Sequence, residues 1–168
     1  IRNTCRYLLG NLYDFDPATD AVPVGELLPI DRFILHQLQR LTERVRKAYE
    51  DYEFHVLYHS LHNFCAVDLS AFYLDVLKDR VYTSGAASHL RRSAQTAMYE
   101  MLVSLGKLMA PVLSFTADEV WRYIPMLDKP LSVHLTEFPE VRADLVNEDL
   151  AQEWERLLAV RDEVLRAL

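Results

Sequence analysis

Asp51, His55, His59 and His62 follow one another at spacings of four, four and three, which on a helix lines up four potential metal ligands. Two histidines at i, i+4 can hold zinc. The apolar residues of the same segment, Leu57, Tyr58, Leu61 and Cys65, point about 100 degrees or more away from them, so the histidines belong to a flank or solvent face. A surface stripe of this kind commonly collects adventitious metal, and no functional metal is assigned to it. Asp68 and Asp75 lie seven apart on one predicted face, and Asp118-Glu119 is an adjacent acidic pair. Either pair has the residue types for metal or general-base chemistry. Hydrogen-bonded carboxylates at a helix bend, and acids facing the positive end of a helix, are plainer uses of the same residues. The chain has no G-x-x-x-x-G-K, G-x-G-x-x-G, G-x-S-x-G or H-E-x-x-H, and its 4 glycines leave little material for such loops. No catalytic residue is assigned.

Binding chemistry is better represented. The formal net charge is -7, from 25 acidic and 18 basic side chains, the reverse of the usual balance of a nucleic-acid binder. Its distribution matters more than its total, because residues 137–168 carry five of the seven negative units. Elsewhere lie local basic clusters: Arg2 with Arg6, then Arg40, Arg44, Arg46 and Lys47, then Lys78, Arg80, Arg91 and Arg92. With Asn3, Tyr7, Tyr49 and Tyr82 beside them, these clusters have the types that hold phosphates and stack unpaired bases. Solvated helix faces with i, i+4 pairs such as Glu43 with Lys47 are the competing reading.

The elements that must position these residues are helical. Leu occurs 27 times in 168 residues, and the apolar residues recur at three- and four-residue spacing. The spacing predicts a helix from Ile1 to about Tyr13, then a loop holding Pro23, Gly25 and Pro29. A long helix capped by Asp31 follows, running to about Tyr52. Helix is expected again from Phe54 to about Tyr82 with a bend or restart at Asp68, and from Ser88 until Pro111 ends it. Thr116-Ala117-Asp118-Glu119 has capping-box spacing, so a short helix is expected to begin there. Ser132 to Leu135 alternates and is the one candidate extended segment. A last helix from about Glu148 is expected to bury Leu150, Trp154, Leu157, Leu158, Val160, Val164 and Leu165. The expected fold is all-α, an irregular antiparallel bundle forming a single domain over 1–168, its acidic 137–168 segment packing as the last helix. The start at Ile1, already helical in pattern, and the amphipathic run at the other end suggest a domain of a longer chain. No apolar stretch reaches the ~18 residues that span a bilayer. Cys5 and Cys65 can remain reduced thiols, as in the cytoplasm.

Specific residue runs add a resemblance. Arg2-Asn3-Thr4-Cys5-Arg6-Tyr7-Leu8-Leu9-Gly10-Asn11-Leu12, Asn63-Phe64-Cys65-Ala66-Val67-Asp68-Leu69-Ser70-Ala71-Phe72-Tyr73-Leu74-Asp75, Arg91-Arg92-Ser93-Ala94-Gln95-Thr96 and Phe115-Thr116-Ala117-Asp118-Glu119-Val120-Trp121 occur in that order. Together they resemble the anticodon-binding domain of bacterial-type isoleucyl-tRNA synthetases. The second run separates that branch from the related valyl, leucyl and methionyl domains. The resemblance implies a parent chain that activates isoleucine with ATP and magnesium, charges isoleucine-accepting tRNA and edits mischarged products. One methylene in an apolar pocket discriminates by only about 1–3 kcal/mol, which is why editing is needed. The ATP-site tetrapeptides of that family are absent from these 168 residues, so the fragment itself is expected to bind RNA and catalyse nothing. Within it the resemblance points the first helix at the anticodon stem-loop. Asn3 is the candidate for a base edge, Arg6 for phosphate or stacking, Tyr7 for stacking, and Arg2 for phosphate. Arg46, Lys47, Arg91 and Arg92 are secondary candidates for RNA or for the adjoining catalytic domain. A valyl- or leucyl-type domain, and a helical module docking a basic protein partner through its acidic C-terminal face, are the alternatives.

Overall fold

A computed structural model describes residues 1–167 as helices joined by loops and short 3-10 turns, with no strand among the described residues. The helices are α1 (Arg2–Gly10), α2 (Pro29–Glu50), α3 (Phe54–Asn63), α4 (Lys78–Thr83), α5 (His89–Met109), α6 (Ser114–Tyr123) and α7 (Glu148–Ala167). A π-helical segment, Phe64–Tyr73, and one further turn, Leu74–Val76, join α3 to α4. The two long helices α2 and α5 lie against each other; α3 covers α2, and α1 rests on α5, α6 and the π-helical segment. The core between them is aliphatic, with Leu8, Ile34, Leu35, Leu69, Met98 and Leu102 fully buried. Cys5 and Cys65 sit in it as free thiols, and burial pushes them up to about 12 and about 11, which leaves them unreactive.

Asp31 does not cap α2. The helix begins at Pro29 behind Leu28, whose amide donates to Ser93 Oγ at 3.0 Å. Asp31 lies in the first turn, fully buried, as the acceptor for three other segments. Its carboxylate takes the Tyr73 hydroxyl at 2.8 Å, the Ser93 hydroxyl at 2.5 Å, and the Arg80 guanidinium at 2.7 and 3.1 Å. The far end of α2 stops at Glu50, two residues short of expectation, where Tyr52 turns the chain with a φ of 56°.

The segment expected as one bent helix is wound three ways. From Phe64 to Tyr73 the wider π turn lets Ser70 donate to the carbonyl of Cys65, five residues back, at 2.7 Å. The wider turn also separates Asp68 from Asp75, which no longer share a face: Asp68 is half-buried toward α2, whereas Asp75 is exposed and paired with Lys78 at 2.7 Å. Burial raises the Asp68 carboxyl to about 6. The unfolded chain releases that proton near pH 4, so between about pH 4 and 6 the folded state holds a proton that the unfolded state has lost. Stability therefore falls as pH rises through this window. Asp68→Asn is expected to leave stability at pH 4 unchanged and to raise it by about 1–2 kcal/mol at pH 8, after allowance for partial solvent screening. Urea titrations at the two pH values read this directly, and equal gains at both would remove the carboxyl as the cause.

The long loop before α2 is tied to the polar side of α5. Arg91 is buried, 3.0 Å from Asp14 and over the Tyr13 ring; Arg92 reaches Asp20 at 3.2 Å and the Asp14 carbonyl at 2.9 Å. Gln95 donates to the Asn11 carbonyl, and Thr96 accepts the Val22 amide. Both arginines named as RNA or interdomain candidates are thus committed to an internal contact that orders residues 11–22.

Three other expectations change. The second helix of the C-terminal half, α6, starts at Ser114 rather than Thr116. The supposed capping box has other partners: Asp118 accepts from Ser132 at 2.6 Å and Arg122 at 3.0 Å, and Glu119 accepts from Arg2. The alternating segment at Ser132 to Leu135 is a 3-10 turn, closed by the Ser132 hydroxyl accepting the His134 amide, because only Val133 is drawn inward. The last helix starts where expected, behind Asn147, whose side chain accepts the Leu150 amide at 2.9 Å. It is held at its beginning by the buried His36, whose Nδ1 accepts the Asn147 amide, and by Trp154 stacked on Phe33 at 5.4 Å. Beyond that its contact with the bundle is through Arg161, which lies over the Phe72 ring, while its apolar stripe is left largely uncovered. Of the apolar residues expected to be buried, Leu150, Trp154 and Leu158 are half-covered, and Leu157, Val160, Val164 and Leu165 stand exposed.

Candidate nucleic-acid interface

The apolar spacing of α1 decides which residues it offers outward. Cys5 and Leu8 point to the core with Thr4 beside them, which leaves Arg2, Asn3 and Arg6 on the solvent side. Two clefts run along the flanks of this ridge. One, of about 460 Å³, lies between α1 and α6 and is lined by Arg2, Asn3, Arg6, Leu9, Thr116, Glu119, Val120 and Tyr123. The other, of about 230 Å³, lies between α1 and the π-helical side and is lined by Asn3, Thr4, Tyr7, Ser70, Leu74, Asp75 and Lys78. Asn3 borders both. Its amide offers donors and an acceptor at the crest of an open surface, the arrangement that reads the edge of an unstacked base.

The cations on the ridge differ. Arg2 is tethered to Glu119 at 3.2 Å in an exposed pair, a weak contact that a phosphate can displace. Arg6 has no hydrogen bond or ion pair among the described residues and is free to meet an anion. Tyr7 is placed otherwise than the sequence suggests: it is half-buried, and its hydroxyl is enclosed without a hydrogen-bond partner. Burial, with Tyr82 and Asp75 nearby, raises that hydroxyl well above the ordinary phenol range. It is a wall of the smaller cleft, and the exposed aromatic ring beside α1 belongs to another element. Tyr123, 71% exposed at the end of α6, faces the larger cleft with Arg6. Its signal in the sequence was an aromatic residue off the Val120, Trp121 and Ile124 core stripe.

The other sequence candidates are dispersed. Arg46 donates to the Pro139 carbonyl at 3.0 Å and helps hold the loop between α6 and α7, while Lys47 is exposed on the side of α2 that faces α3. Tyr49 bonds the Leu108 carbonyl and stacks on Phe138, so it is structural; Tyr82 is exposed. His55, His59 and His62 lie on the surface of α3, and among the described residues no group of three or more His, Cys, Asp or Glu side chains is arranged to hold a metal ion. No helix is long and apolar enough to cross a membrane among the described residues.

The described residues thus form an all-α bundle that displays an amide and an unpaired guanidinium on α1, with an exposed aromatic ring beside them on α6. Residues 31–168 match the family described as the anticodon-binding domain of tRNA ligase, and the chain belongs to that family. It is similar along its whole length to isoleucine–tRNA ligases: 56% identical to those of Moorella thermoacetica and Geobacter sulfurreducens, and 51% to that of Natranaerobius thermophilus. The chain spans 18% of the length of each of these relatives.

Proposed function

We propose that this domain reads the anticodon stem-loop of an isoleucine-accepting tRNA through α1, within a longer cytoplasmic isoleucine–tRNA ligase. The observation that carries the reading is the ridge of Asn3 and Arg6, exposed between two clefts and flanked by Tyr123. Asn3 hydrogen-bonds a base edge, Arg6 meets phosphate, and Tyr123 stacks on an unpaired base. Activation of isoleucine with ATP and magnesium, transfer to tRNA and editing belong to other domains of the parent chain. This domain's part is to hold the tRNA by its far end, which sets where the acceptor end lies relative to a catalytic domain.

The test compares tRNA transcripts that differ only in the anticodon, titrated against this chain at about 50 and 200 mM salt. Asn3→Ala is expected to lose about 1–3 kcal/mol of preference for the native anticodon. Arg6→Ala is expected to weaken binding to both transcripts alike and to reduce the salt slope by about 1. Equal affinity of the wild-type chain for both transcripts overturns anticodon reading.

A further inference from the structure

Between them, α2 and α3 enclose an open cleft of about 530 Å³. Arg40, Arg44 and Lys47 of α2 line it at i, i+4 and i+7, and His59 and Asn63 of α3 form the opposite wall. At 1.5 Å per residue the three cations are spread over about 10 Å of helix, so they address successive points along an extended ligand. None of the three makes an ion pair or hydrogen bond among the described residues, and the Glu43 to Lys47 pair of the competing reading is not formed. The contrast is with Arg80, Arg91, Arg92 and Arg142, all of which are paired within the domain. The acids at the cleft are Glu43 and Asp68.

We infer that this cleft binds the phosphate backbone of the same tRNA whose anticodon α1 reads, as a second, sequence-independent contact; the inference rests on that reading. The occupant follows from the position of the cleft. Asp68 of the π-helical segment lines it, and Ser70 of the same segment lines the smaller cleft beside Asn3. One helix, about 10–12 Å across, therefore separates the two, a distance one RNA strand spans. Unpaired cations in a row also suit phosphates, which carry affinity and no base preference.

The experiment titrates labelled isoleucine-accepting tRNA transcript against this chain and against the triple variant Arg40→Ala, Arg44→Ala, Lys47→Ala, from 50 to 200 mM salt. Three lost phosphate contacts are expected to lower the slope of log affinity on log salt by about 2–3, so wild-type affinity falls about 15–65-fold more across that range than the variant's. The variant's preference between native and swapped anticodons is expected to stay as in the wild type, unlike that of Asn3→Ala. All three side chains are exposed, and an unchanged urea midpoint verifies that the variant folds. In the wild-type chain, tRNA is expected to shift the Nε resonances of Arg40 and Arg44. An unchanged salt slope in the variant, or shifts produced by inorganic pyrophosphate but not by tRNA, overturns the inference and leaves anticodon reading standing. A wild-type chain that binds no tRNA overturns both.

Discussion

Asp31→Ala is expected to lower the free energy of unfolding by about 3–5 kcal/mol, among the largest effects of any single substitution in this chain. The carboxylate is buried and accepts from Tyr73, Ser93 and Arg80, which belong to the π-helical segment, α5 and α4. Removing it strands a guanidinium that is itself only 17% exposed, and leaves two hydroxyls short of their acceptor. Breaking one side of such a pair costs far more than the net worth of the intact pair, because the surviving charge stays out of water. Asp31→Asn keeps the shape and part of the hydrogen bonding, so a smaller loss of about 1–3 kcal/mol is expected. Urea denaturation followed by circular dichroism measures both; a loss under 1 kcal/mol for the alanine variant would show that water reaches the Arg80 site. The consequence for function is indirect. Asp31 fixes the segment that supplies Ser70 and Leu74 to the cleft beside Asn3, so the site loosens with the fold.

Trp121→Ala is expected to cost about 3–5 kcal/mol, the range for truncating a large buried aromatic residue. For a domain of this size that corresponds to a fall of about 6–20 °C in Tm, read by calorimetry. The indole is buried under α5 opposite Gly106, and its Nε1 donates to the Pro130 carbonyl at 2.9 Å. It thereby fastens α6 to the bundle and to the loop that follows. Lys129 completes the join by donating from Nζ to the carbonyls of Trp121, Arg122 and Ile124, which closes the end of α6 as a C-cap. Trp121→Phe retains most of the apolar contact and leaves the Pro130 carbonyl without its donor, so about 1–3 kcal/mol is expected there. Because α6 carries Glu119 and Tyr123 into the larger cleft, the alanine variant should also lose tRNA affinity while still folded at low temperature, and unchanged affinity would separate α6 from the RNA surface.

Much of the architecture was legible in the residues because it depends on local periodicity. The apolar spacing of Ile34, Leu35, Leu38, Leu41 and Val45 is sufficient to define α2, and Pro111 is sufficient to stop α5 nearby. Misreadings arose where a polar residue had two possible partners. Asp31 and Thr116 both have the chemistry of helix caps, and a cap is a contact within a few residues. In the fold Asp31 answers to distant groups instead, Arg80 and Ser93, and Thr116 lies inside α6, which begins at Ser114. Arg91 and Arg92 look free along the chain, and their partners Asp14 and Asp20 are more than seventy residues away. The exposed stripe on α7 misled in the opposite sense, since amphipathic spacing shows that a helix has an apolar face without showing what covers it.

By itself, the sequence determined an all-α bundle, the family resemblance, and the placing of Arg2, Asn3 and Arg6 on one helix. The resemblance rests on specific residue runs; the bundle and the helix placement follow from periodicity and composition, which act over a turn or two of chain. Only the tertiary structure decided which cations are free. Charge pairing is a contact between elements, so the same guanidinium is a buried strut at Arg91 and an exposed cation without a partner among the described residues at Arg6 or Arg44. The net charge of -7 is a sum over both kinds.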